Sequence, residues 1–303
     1  MKNKPNNTTK RRSPAVPDAT RRVVAGDRDR KIARFLLRFG AATGGHLREA
    51  FGLSVNGNRV LRRLFDAQIV RRHSPLLTGG SDVTCHPVYT LGPAAAPWVA
   101  EWENIPLDEA RKWTRGDRTP SYLAHALSIV DLFLSLQAAL GNQTDWALRG
   151  FLVERECLDE LAVVSGKAER RVTVRPDAVA VFRRSEDGAL FAGALESDLG
   201  NVRAKAFAHK CDGYRLYVQS GAYREAYPGV HSFSVLVVAG TDARCRMLAQ
   251  TARDAQAEAY FQFATRPDIA KHGFFGPIWR DAGGAARNPL PLIETNQPEG
   301  ERP

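Results

Sequence analysis

Three carboxylates stand close together in one stretch of this chain. Asp177 follows Pro176 at the opening of an apolar run, and Glu196 and Asp198 lie two apart at the end of the next. Acidic groups at strand ends suit a hard divalent cation, because Mg²⁺ takes one or two carboxylates and leaves room for water and substrate phosphate. Mg²⁺ or Mn²⁺ held there would polarise a phosphodiester and stabilise the departing oxygen. Residues two apart on a strand leave the same face, so Glu196 and Asp198 are expected to point together, with Asp177 brought up by a hairpin. The competing reading of Asp198 is a cap for the helix that starts near Asn201. Lys210 lies on that helix, with Tyr214 one turn further and Tyr217 three residues beyond. A lysine so placed would stabilise transition-state charge, and Lys205 is a second source of that cation. A tyrosine hydroxyl would replace water as nucleophile if the cleaved bond is stored covalently. Tyr214 is the nearest candidate, with Tyr217 and Tyr223 left open. Phe207, Cys211, Tyr214 and Val218 also read as the buried stripe of the same helix. The expected catalytic set is Asp177, Glu196, Asp198, Lys210 and Tyr214, the first three as metal ligands, in a wet cleft at the strand ends. Glu154 and Glu156 are weaker candidates.

A second constellation lies near the N-terminus. Asn56, Arg59 and Arg63 fall three and seven residues apart, so on a helix they share a face. Asn and Arg are the side chains that make bidentate contacts with adenine and guanine edges. Arg62, with Arg71 and Arg72 on a following hairpin, is placed to reach phosphates. The plainer reading is a solvated basic helix, but the elements around it favour duplex DNA.

Those elements are legible. Ile32, Phe35, Leu36 and Phe39 mark an amphipathic helix that Gly40 stops. Thr43 can cap a second helix carrying Leu47 and Phe51, and Ser54 a third carrying Val60, Leu61, Leu64 and Phe65. Short strands at 69–72 and 87–91 complete a winged helix-turn-helix order over 27–92. Prolines and glycines from 93 to 118 read as a linker, with a short helix near 107–113. A second domain over 119–262 opens with an apolar helix at 121–140, followed by strands at 146–154, 171–182 and 190–196. A helix at 201–223, a buried strand at 233–238 and a helix at 242–260 follow, giving the order αβββαβ and a final helix. Residues 1–26 read as a disordered basic arm and 263–303 as a loose tail.

The formal charge of +10 over 303 residues suits a polyanionic partner. Cys85, Cys157, Cys211 and Cys245 are scattered without a Cys-x-x-Cys pair, which argues against a zinc site or a disulfide framework. With no membrane-spanning run or secretory signal apparent, a cytoplasmic location is expected.

The R-P-D-A-V-A-V-F strand from Arg175, the L-E-S-D-L-G turn from Leu195 and the H-K-C-D-G-Y-R-L-Y helix from His209 resemble the replication-relaxation family of plasmid and mobile-element proteins. The resemblance spans about Asp29 to Ala239. It implies a part in plasmid replication, relaxation or conjugative mobilisation, as a relaxase or nicking enzyme acting with other replication proteins; the oligomeric state, a homodimer or otherwise, is left open. It also implies a core similar to the PD-(D/E)xK nucleases, an α+β fold behind the N-terminal helical module. Asp177 then matches the first acidic position and Glu196 the second, while Asp198 stands where that motif has lysine. The alternative is a non-catalytic DNA-binding initiator or regulator with a degenerate nuclease-like domain.

Overall fold

The computed structural model describes Pro17 and residues 25–53, 57–73, 87–115, 118–141, 144–157, 159–165 and 168–289. The expected basic arm (apart from Pro17, Ala25 and Gly26), the Ser54 cap, Asn56, Cys85 and the end of the tail lie outside them. The chain divides into two compact units, 1–130 and 131–303.

In the first unit, helix α1 (Asp27–Phe39) buries Ile32, Ala33, Leu36 and Phe39 on one stripe. Asp29 accepts from the Gly26 amide at its start, and Gly40, at φ 81°, closes it. Strand β1 (Ala42–Thr43) leads into helix α2 (Gly44–Phe51), where the Thr43 hydroxyl accepts from the His46 amide. Helix α3 (Gly57–Asp66) buries Leu61, Leu64 and Phe65. Strands β2 (Val70–His73) and β3 (Val88–Leu91) pair antiparallel, and β1 adds to the far edge of β3 in the order β1-β3-β2.

Residues 93–118 are not the open linker that their prolines suggest. A further helix, α4 (Ala96–Glu103), precedes the short helix expected near 107–113, which is present as α5 (Leu107–Thr114), and the stretch adds Ala95, Ala96, Val99 and Ala110 to the core of α1, α2 and α3. Pro93 starts a 3₁₀ turn, Pro97 lies in the first turn of α4, and Pro106 caps α5. At helix starts a missing N–H breaks no helical bond, so these prolines begin elements instead of interrupting them.

Helix α6 (Pro120–Gly141) carries the division between the units. By length and composition alone it could cross a membrane, and half of its apolar window is buried within the protein, as in a core helix. In the second unit, β4 (Trp146–Val153) is followed by a separate hairpin of β5 (Asp159–Ser165) and β6 (Ala168–Val174). Strands β7 (Ala178–Arg184) and β8 (Leu190–Ser197) join β4 antiparallel. The strand expected over 171–182 is thus two strands, parted at Pro176-Asp177.

Helix α7 (Ala204–Gln219) and the short α8 (Tyr223–Ala226) lead to β9 (Val230–Ala239), parallel to β8. Helix α9 (Asp242–Asp254) is shorter than expected and leads to β10 (Phe261–Thr265), parallel to β9. Both α7 and α9 contribute to one aromatic core with Phe233, Phe261 and Phe263. The expectation of a loose tail from 263 is overturned. Helix α10 (Arg266–His272) and β11 (Arg280–Asp281) continue the fold, and Phe274 and Trp279 are fully buried. The Trp279 indole donates to the Phe274 carbonyl at 2.7 Å, which satisfies the one polar group of a buried ring.

Gly92 closes the small sheet where no side chain fits: a Cβ there would lie 2.2 Å from the Gln68 carbonyl oxygen. Backbone on both sides cannot yield as a side chain would. Gly92→Ala is expected to destabilise the first unit by about 2–3 kcal/mol, read as a lower denaturant midpoint, and an unchanged midpoint would refute this packing.

Candidate functional site

Strands β7 and β8 pair with Ala178 opposite Leu195, which sets Asp177 beside the end of β8. An Asp177 carboxylate oxygen accepts from the Ser197 amide at 2.7 Å. Glu196, in the middle of the sheet between β7 and β9, is only 5% exposed. Lys210 and Tyr214 lie one turn apart on α7, so both reach the same carboxylate. The Tyr214 hydroxyl donates to Glu196 Oε1 at 2.5 Å, and Lys210 Nζ donates to Oε2.

Burial, reinforced by the negative charge of Asp177, pushes the Glu196 carboxyl up to about 7, against the opposing pull of Lys210 and Tyr214. Burial disfavours the Lys210 ammonium, but Glu196 and Asp177 outweigh it and hold its pKa above the ordinary value. Burial and the Glu196 charge keep the Tyr214 phenol well above its usual range. Cys157 lies nearby, its thiol donating to the Val153 and Pro176 carbonyls, and burial together with acidic neighbours pushes it up to about 12. It is therefore a packed thiol, not a nucleophile.

The expected wet cleft of three carboxylates is corrected in two respects. Glu196 and Asp198 are both buried, and Asp177 is half-buried. Asp198 also does not share a site with Glu196, because β8 ends at Ser197. Its carboxylate is held by Arg244 of α9, at 2.6 Å from Nε and 2.8 Å from Nη2, and accepts from the Gly200 amide. A bidentate guanidinium occupies the oxygens that a metal would use. Among the described residues, no group of three or more His, Cys, Asp or Glu side chains could hold a metal ion. Asp177 and Glu196 remain, and a buried carboxylate whose ionisation is opposed by the charge of its neighbour fits Mg²⁺ or Mn²⁺. Tyr214, at 1% exposure with its hydroxyl turned to Glu196, positions that carboxylate and is closed to an incoming phosphate. Tyr217 is equally buried. Lys205 is exposed, and Glu154 pairs with Arg175 at 2.8 Å.

Two contributors escaped the sequence. Arg244 and Arg266, from α9 and α10, hold the turn after Glu196, Arg266 bonding the Ser197 hydroxyl and the Asp198 carbonyl. Both lie far along the chain and outside any motif. The Thr241 cap of α9 signalled that helix, but not which of its arginines faces inward.

In the first unit, Arg59 is exposed on α3, whereas Arg63 is half-buried. Its guanidinium pairs with the buried Asp29 of α1 at 2.5 Å, which corrects the expectation that it faces bases beside Arg59. Arg62 pairs with Asp66 at 2.9 Å, Arg71 is half-buried and Arg72 exposed.

The family profile described as Replication-relaxation matches residues 34–231, a span that includes α3, Asp177, Glu196, Lys210 and Tyr214. No curated protein and no solved structure matches the chain.

Because Glu196 has a raised pKa in the folded state, the folded chain holds a proton that the unfolded chain releases between about 4.5 and 7. That contribution to stability is full below the unfolded value and is lost as pH rises to the folded one. The melting temperature of the parent relative to Glu196→Gln should therefore fall between pH 4.5 and 7 and level off above. Tyr214→Phe, which removes a donor to the carboxylate, should move the end of that fall to higher pH. Parallel melting curves for parent and Glu196→Gln across this range would count against the buried, proton-holding carboxylate.

Proposed function

We propose, for a chain that belongs to the replication-relaxation family, that its first unit binds duplex DNA and its second cleaves one strand with Mg²⁺ or Mn²⁺. The order α1-β1-α2-α3-β2-β3, with a sheet closing behind α3, supports a winged helix-turn-helix. In the second unit, α6-β4-β7-β8-α7-β9 with the β5-β6 hairpin set aside supports a core like that of the PD-(D/E)xK nucleases.

The observation that carries the reading is the Lys210–Glu196 pair beside Asp177. The strand position where such nucleases carry lysine is Asp198, and the cation comes from α7. Asp177 and Glu196 would hold the metal, which when bound supplies Lewis-acid polarisation of the scissile phosphate. Lys210 would stabilise charge on the phosphoryl oxygens. Tyr214 would hold Glu196 in place, leaving water as the nucleophile. The role is replication or mobilisation of a plasmid or other mobile element, in company with its replication proteins.

One observation favours a second reading, a DNA-binding initiator or regulator that does not cleave. Glu196 is closed over by Lys210 and Tyr214, and Asp198 is taken by Arg244.

Supercoiled plasmid carrying the cognate origin, incubated with and without Mg²⁺ or Mn²⁺, separates the two. Nicking by the parent should be lost by at least about a hundredfold in Asp177→Asn and Lys210→Met, with duplex affinity unchanged. An intact parent that nicks no supercoiled substrate in either metal leaves the non-catalytic reading.

Metal binding gives an independent measure, because the Glu196 proton must leave before the carboxylate can act as ligand. Stabilisation of the parent by Mn²⁺ should grow as pH rises through about 7 and be absent in Glu196→Gln. A pH-independent effect shared by the variant would place the ion elsewhere.

A further inference from the structure

The first unit contains a cavity of about 380 Å³ between α2, α3 and the small sheet. Among the described residues three guanidiniums line it, Arg48 of α2, Arg62 of α3 (which also pairs with Asp66) and Arg72 of β2, with Gly44, Gly45 and Tyr89, and no described lining residue is a carboxylate. The amides at the start of an α-helix have no intrahelical acceptor and carry the positive end of its dipole. At this end of α2 the Thr43 hydroxyl takes the His46 amide, while Gly44 and Gly45 carry no side chain. A Cβ on Gly44 would lie 3.5 Å from Arg48 Nη1, 3.5 Å from Leu61 and 3.7 Å from the Tyr89 ring, among the atoms that line the cavity.

Tyr89 is a second and independent pointer. Its side chain lines the cavity and is nine-tenths buried, and its hydroxyl has no hydrogen-bond partner among the described residues. Burial raises its pKa while the charges of Arg72 and Arg48 lower it, which puts both guanidiniums within electrostatic reach of the phenol. An oxygen-rich anion in the cavity would accept from this phenol and from the arginines together. Guanidiniums match phosphate oxygens in fork geometry.

We propose that this cavity binds the phosphate group of a nucleotide, gripped by Arg48, Arg62, Arg72, the first amides of α2 and the Tyr89 hydroxyl. Two sources could deliver that phosphate: the backbone of DNA bound by this unit, or a free nucleotide. Only the first rests on the DNA-binding reading above. The volume lies within the range of small-molecule sites and is larger than one phosphate needs, so a sugar or base can follow the phosphate in.

The full chain is compared with Arg48→Met/Arg72→Met, Tyr89→Phe and Gly44→Ala. Arg62 is left alone because its loss would strand the buried Asp66. Calorimetric titration with dAMP and with inorganic pyrophosphate is the first arm, and duplex binding against salt concentration is the second. Binding of dAMP or pyrophosphate by the parent, weakened about tenfold or more in the double variant, supports the site with a free nucleotide as source. Loss confined to duplex affinity, uniform across sequences and with a flatter salt slope, supports it with the DNA backbone as source. In either case Gly44→Ala should weaken binding while the helix is retained, and Tyr89→Phe should weaken it less. If the double variant and Gly44→Ala, both folded by circular dichroism, match the parent in both arms, the proposal is overturned. A parent that binds no duplex at all removes the DNA-binding reading, and the nucleotide titration still decides the cavity.

Discussion

A carboxylate in the middle of a sheet sets the terms for the second unit. Removing Glu196 from water carries a desolvation penalty of several kcal/mol unless the charge is neutralised or fully bonded. The chain does both in part: Lys210 and Tyr214 donate to its two oxygens, and Asp177 beside it favours retention of the proton. Both donors come from one turn of α7, so that helix can dock in only one rotation and one register. The Tyr214 ring is fixed in turn by Phe261, edge-on at 5.8 Å, and by Phe233 at 6.5 Å. The aromatic core therefore orients the hydroxyl, and the hydroxyl orients the carboxylate.

The far side of the same strand end is held by a different charge set. Arg244 clamps Asp198 and also donates to the Val202 carbonyl at 2.6 Å, while Arg266 ties Ser197 and Asp198 to the start of α10. The turn between β8 and α7 is thus pinned by residues from the last third of the chain. This is why elements beyond β9 belong to the site although none of their side chains bonds Glu196. Asp198 and Glu196, two residues apart, end in separate networks because the pleat that would align them stops at Ser197.

Much of this was readable from residues. The helix periodicities of α1 and α3, the Thr43 cap and the apolar β9 were legible because they are local signals. The Lys210–Tyr214 spacing predicted their common face, and the strand-end position of Asp177 predicted its neighbourhood with Glu196. What failed was non-local. Arg63 has a recognition-helix spacing, but the buried Asp29 on α1 claims it. The prolines from 93 to 106 look like linker punctuation, and only their places at helix starts convert them into first-turn residues. The segment after Thr265 has little periodicity, and it is ordered by burying Phe274 and Trp279.

The lysine's origin on a helix has a consequence for how the site could work. A buried or half-buried ion pair contributes little net stability, and replacing it by apolar groups is often neutral. The Lys210–Glu196 contact is therefore poorly explained as a stability device, and Lys210 keeps 35% of its side chain exposed while Glu196 keeps 6%. The carboxylate is fixed by the sheet and by Tyr214, whereas the ammonium sits on a flexible stem with access to solvent. In the proposed reaction the two partners would part without disturbing the fold: Glu196 would hold the divalent cation with Asp177, and the Lys210 ammonium would be free to bond the phosphate. A lysine on the strand itself, at position 198, could not make that exchange here, because the turn occupied by Asp198 is committed to Arg244 and Arg266.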